Sequence, residues 1–115
     1  MSQRCVTALA LLLACGCAPV QFREVRLRGE IDLGARTLIE CGDRGVFGLA
    51  ATSESAARVL DAFHSAGAET GEVIVADVHG WIEDPPREDP PDVYVVEATS
   101  AQRGDCAALQ AALAP

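Results

Sequence analysis

Lysine is absent from this 115-residue chain: its nine basic residues are all arginine, against seventeen acids, for a formal net charge of −8. A domain with that balance is repelled by phosphate backbones, which argues against general nucleic-acid binding. It also gains no electrostatic hold on an anionic lipid surface. Aromatic residues are scarce, with one Trp, one Tyr and three Phe. The core must therefore come from Val, Leu, Ile and Ala, and stacking platforms for bases or sugars are thin. The chain has no P-loop, GxSxG, HExxH or dinucleotide fingerprint. No apolar run reaches the roughly 20 residues that a membrane-spanning helix needs. The length allows one small domain and not two.

The chain does have a short apolar run near its start. Arg4 precedes Val6–Ala14, and small residues follow at Ala14, Gly16 and Ala18. That is the layout of a secretory signal peptide. Leu11–Pro19 reads LLLACGCAP and resembles the lipobox of bacterial lipoproteins. In that family an aliphatic residue and small residues precede a cysteine that is acylated and begins the mature chain. Two registers compete. Leu12-Leu13-Ala14-Cys15 has leucine at the better distance, whereas Ala14-Cys15-Gly16-Cys17 has the better small residue before the cysteine. Parity favours Cys17, because its acylation removes Cys5 and Cys15 with the signal and leaves Cys41 and Cys106 as a pair. Acylation at Cys15 leaves Cys17 as a lone thiol. An ordinary signal peptide with an accidental cysteine pair is the alternative. Neither register puts aspartate second in the mature chain, which by the bacterial sorting rule favours the outer membrane over the inner.

From Gln21 onward the pattern is one of short strands around a helix. Val25, Leu27, Ile31 and Leu33 alternate with Arg26, Arg28, Glu30 and Asp32, with Gly29 on the apolar face as a bulge or bend signal. Arg36–Cys41 predicts the returning strand, Gly42–Gly45 a turn and Val46–Leu49 a third strand. Thr52 or Ser53 caps a helix in which Ala56, Leu60 and Phe63 recur at helical spacing, with Val59 and Ala66 beside them and Gly67 at its stop. Val73–Glu83 predicts a fourth strand and Asp92–Thr99 a fifth. The EDPPREDPPD stretch between them predicts a stiff, solvated loop, and Asp105–Leu113 is a short helix candidate. The expected fold is mainly β with one helix (α+β): a five-stranded OB-like Greek-key barrel with the helix between strands 3 and 4. An open antiparallel sheet with one packed helix is the alternative. The expected organisation is a lipoprotein signal peptide at 1–16, a linker at 17–24, the OB-like domain at 25–106 and a C-terminal tail at 107–115 with a short helix as its candidate structure. In an exported chain the expected state of Cys41 and Cys106 is a structural disulfide.

Several of these residues also carry a family resemblance. Gly29-Glu30-Ile31, Thr37…Glu40-Cys41-Gly42, Val75…Val78…Gly80-Trp81-Ile82 and the closing Cys106 are similar to the C-terminal OB-type module of the copper-homeostasis and envelope-stress lipoprotein family (new lipoprotein E). The resemblance covers about Arg28–Cys106 and implies the fold, the disulfide and the envelope location. The wider family also has an N-terminal barrel domain carrying a CxxC, for which this chain has no room. A copper or stress-signalling role therefore does not come with the resemblance.

Candidate chemistry is sparse. Asp77 and His79 share a face of the fourth strand and are weak candidates for a metal or an acid–base pair, but Val75 and Trp81 share that face. His64 is expected at the surface. The five carboxylates of the proline-rich loop match no calcium-loop spacing. The arginines of the first half are expected to pair across strands with acids such as Glu40. The expected function is that of a lipid-anchored envelope lipoprotein, a non-enzymatic binding module facing the periplasm from the outer membrane. Its partners are the membrane, through acyl chains on Cys17, and an envelope protein; no cofactor is expected. A periplasmic metal or redox sensor using Cys41 and Cys106, and a hydrolase of envelope polymers, are the alternatives.

Overall fold

The computed structural model describes residues 20–113. The expected signal peptide at 1–16 and both lipidation candidates, Cys15 and Cys17, lie outside the described residues. The chain forms β1 (Phe22–Asp32), β2 (Thr37–Glu40), β3 (Val46–Leu49), α1 (Ser53–Ser65), β4 (Val73–Glu83), β5 (Asp92–Arg103) and α2 (Cys106–Leu113). It is a mixed α+β fold, mostly β, with one five-stranded sheet and one main helix, as the periodicity predicts.

Two boundaries differ from expectation. β1 starts at Phe22, so the last three residues of the expected linker 17–24 belong to a strand. Phe22, Arg23 and Glu24 pair with Glu83, Ile82 and Trp81. Backbone pairing needs no apolar side chain, so the strand begins before the alternation does. β5 runs on to Arg103 instead of ending at Thr99, whereas Cys106–Leu113 forms the short helix expected over Asp105–Leu113. Two register shifts against β4, with Ser100 at φ 53°, break the period of two that sequence reading follows.

The glycines expected to bend strands divide in role. Gly29 pairs in register on both sides, with Glu40 and with Ala76. It marks a close approach: a Cβ there would stand 2.6 Å from Leu38 Cδ1. Gly80 lies at a register shift, and a Cβ would stand 2.6 Å from the Tyr94 carbonyl oxygen.

β1 pairs antiparallel with β2 and with β4, β2 with β3, and β4 with β5, while β3 and β5 run parallel through Gly48–Asp92 and Leu49–Val93. The order β1-β2-β3-β5-β4 returns to β1, so the sheet closes on itself. β3 has four residues and β5 twelve, however, so β5 has edge to spare. The helix α1 covers it. Ser55 Oγ, buried, accepts the Val95 N–H at 2.9 Å, and Arg58 Nε donates to the Val96 carbonyl at 3.1 Å.

That contact sets the roll of α1. Helical spacing predicts an inner face of Ala56, Leu60 and Phe63 with Val59 and Ala66 beside them; Val59 and Phe63 are buried as expected, but their companions inside are Ser55 and Ala62. Leu60 and Ala56 face outward. Thr52 caps the helix, its side chain accepting the Ser55 N–H at 3.3 Å, and Gly67 at φ 69° ends it. Val59 and Phe63 meet Ile31, Leu38, Ile74, Ile82 and Val93 in the core enclosed by the sheet.

Cys41, just after β2, and Cys106, at the start of α2, form a disulfide across 65 positions. Both are also held to β1: the Cys41 N–H donates to the Arg28 carbonyl at 2.9 Å, and the Cys106 N–H to Glu30 Oε1 at 3.1 Å.

Ser55→Ala leaves the Val95 N–H buried without an acceptor and is expected to cost about 1–3 kcal/mol. Leu60→Ala, at an exposed site, is expected to change stability by less than about 0.5 kcal/mol. Urea unfolding of the two variants reads the difference, and equal losses would overturn this role for Ser55. Replacing Cys41 and Cys106 together by alanine is expected to lower stability by about 4 kcal/mol, the loop-closure value for a cross-link of this span. Urea unfolding measures it with each protein's own slope, which is expected to rise in the variant because the uncross-linked unfolded chain exposes more surface.

Candidate functional site

Side chains alternate across a strand, so residues of β1, β4 and β5 that do not enter the core stand on one outer face. That face has a charged half and an aromatic half. In the charged half, Arg28 Nη1 donates to Asp77 Oδ1 at 2.9 Å, with both side chains well exposed. One Glu24 carboxylate oxygen meets Arg26 Nη2 at 3.0 Å and also lies against His79 Nε2. That His79 nitrogen is shielded from water and has no hydrogen-bond partner. Arg26, Asp77, His79 and Glu97 help line a shallow hollow of about 250 Å³.

Asp77 and His79 thus share a face, as expected, but they face different β1 side chains: Asp77 pairs with Arg28, and His79 lies against Glu24. Among the described residues, no group of three or more His, Cys, Asp or Glu is arranged to hold a metal ion. His64 is exposed in the last turn of α1. The arginines pair with acids other than Glu40: Arg28 with Asp77 across strands, Arg26 with Glu24 along its own strand, and Arg44 with Glu30 at 3.5 Å. β2 sets Glu40 opposite Gly29, out of line with Arg26 and Arg28.

The aromatic half gathers three of the chain's five aromatic residues. Phe22 stands at the start of β1, Trp81 near the end of β4 and Tyr94 near the start of β5. The Phe22 and Tyr94 rings meet edge to face, with centroids 6.0 Å apart. Trp81 is opposite Tyr94 in register, and its ring centroid lies 6.1 Å from that of His79. Phe22, Trp81 and Tyr94 line an open hollow of about 420 Å³. Phe22 is 48% and Trp81 38% exposed, so the described residues leave this surface uncovered.

Tyr94 also borders a second hollow, of about 320 Å³, formed with the proline-rich loop through Glu83, Pro86, Arg87, Pro91 and Asp92. The loop is largely exposed, as expected. Arg87 Nε donates to Glu83 Oε1 at 2.9 Å, and this bond, with the charge of Glu83, holds the guanidinium above its ordinary range. It is a permanent cation among five carboxylates.

The aromatic surface is the feature that sequence reading misses. Its members come from three strands, and only the β1–β4 and β4–β5 registers bring them together. The available signal is Trp81 on the outer face of a strand whose inner face is complete without it. No protein-family model, no curated protein and no solved structure matches this chain. Among the described residues, no helix is long and apolar enough to cross a membrane.

If Asp77 serves only its surface ion pair with Arg28, Asp77→Asn is expected to cost less than about 1 kcal/mol, and the loss is expected to fade in high salt. Thermal unfolding at low and high salt measures both. A larger, salt-independent loss would assign Asp77 a different role.

Proposed function

We propose that this chain is a lipid-anchored protein of the bacterial envelope whose folded part is a non-enzymatic interaction module, an OB-like five-stranded Greek-key barrel. The Cys41–Cys106 disulfide carries the reading. Disulfides persist in oxidising compartments, and this one uses both cysteines downstream of the lipobox-like stretch. Acylation of Cys17 then leaves no free thiol in the mature chain. The OB-like assignment is supported by the β1-β2-β3-β5-β4 order, the parallel β3–β5 pairing and a helix between β3 and β4. The resemblance to the new lipoprotein E family adds the same fold, disulfide and location.

The module works by contact. Of the two strand residues with an acid–base or metal-binding reading, Asp77 is paired with Arg28 and His79 lies against Glu24, and Cys41 and Cys106 are joined to each other. The surface offered for contact is the outer face of β1, β4 and β5, with the aromatic residues at one end. An anchor on Cys17 or Cys15 joins the domain at that same end, because either cysteine precedes the first residue of β1 by only a few positions in the sequence.

Metabolic labelling with palmitate in a bacterial host tests the anchor. The unsubstituted chain and Cys15→Ala are expected to take up label and remain with membranes, and Cys17→Ala is expected to lose both. A soluble, unlabelled product from the unsubstituted gene would refute the proposal. Thiol titration of the exported protein is expected to find no reactive cysteine without reductant, and thiols that cycle under mild reductant would favour the redox-sensor reading.

A further inference from the structure

The three aromatic residues have no cover among the described residues, and their position relative to the anchor indicates what covers them. Phe22 is five residues from Cys17 and seven from Cys15. A fully extended chain gains at most about 3.3–3.6 Å per residue, so the tether reaches no more than about 18 Å from Cys17, or about 25 Å from Cys15. The headgroup layer is itself about 5–7 Å deep on each side of a bilayer. An anchored domain therefore holds the Phe22 end of its sheet within a short distance of the lipid, in either register.

The surface found at that end has the chemistry of a membrane interface. Val20 is 61% exposed, Phe22 48% and Trp81 38%, with Tyr94 beside them. Trp and Tyr concentrate at the headgroup level, where an apolar ring meets lipid and its polar edge meets water. The charged half of the same face, with Arg28 and Asp77, lies farther along the strands from the anchor. We infer that Phe22, Trp81 and Tyr94 are a seat on the bilayer, so that the lipid-anchored domain stands in one orientation with its charged half turned to the aqueous side. This inference rests on the lipid anchor proposed above.

The proline-rich loop selects the lipid. Three of its five carboxylates, Glu83, Glu88 and Asp92, line the hollow beside Tyr94, with Arg87 as the loop's one cation. They are repelled by anionic headgroups, so the seat fits a zwitterionic surface.

Trp81 is the chain's only tryptophan, so its fluorescence reports on the seat alone. The test uses the full palmitate-labelled protein reconstituted into phosphatidylcholine vesicles, with or without bromine on the acyl chains near the glycerol end. The expected result is loss of Trp81 emission to the brominated lipid, together with shielding from acrylamide in the water. Phe22→Asp is expected to abolish both effects while palmitate labelling persists. Replacing a third of the lipid by phosphatidylglycerol is expected to weaken the quenching, and strengthening would overturn the choice of a neutral surface. Labelled protein whose Trp81 is unquenched by lipid and open to acrylamide would overturn the seat and leave the anchor standing; the aromatic surface would then be free for a protein or glycan partner. Protein without label would remove anchor and seat together. The unsubstituted chain carries the decisive measurement, so a misfolded Phe22 variant does not weaken the test.

Discussion

The fold depends on how the spare edge of β5 is completed. A closed sheet removes free edges only while its strands match in length, and β3 is too short to line β5 beyond Val93. A buried backbone N–H without an acceptor costs as much as a lost hydrogen bond. Ser55 supplies the acceptor for Val95, and Arg58 supplies a donor for Val96. With α1 held there, Val59 and Phe63 join a core to which all five strands contribute. One hydroxyl thus couples the helix to the sheet and fixes which helical face is apolar.

The same constraint explains what was legible in the sequence. β4 and the Thr52 cap could be read because each follows a local rule: alternation in one case, a side-chain acceptor before a helix in the other. Cys41 and Cys106 could be paired by elimination. The roll of α1 could not, because Ser55 looks like a surface residue until the β5 edge is known, and Leu60 looks like core. The extra length of β5 was hidden by its bulges, and Phe22 by an alternation that starts only at Val25.

The candidate surface was less legible than the fold. Asp77 and His79 were visible as neighbours on one strand, but their partners Arg28 and Glu24 come from β1. The aromatic residues are spaced far apart along the chain and meet only through strand register. Surfaces assembled across a sheet leave little local pattern, unlike a metal-binding or phosphate-binding motif that lies within one stretch.

The pairing of β1 with β4 also bears on the order in which the protein takes shape. Each residue of β1 meets its β4 partner roughly 40–60 positions later in the chain. Until that second half is present, β1 has only the short β2 beside it and no core to close over. Contacts this distant are made late and slowly. The amino-terminal half alone is therefore a poor folding unit, and a chain of this topology stays threadable until most of its length has been delivered.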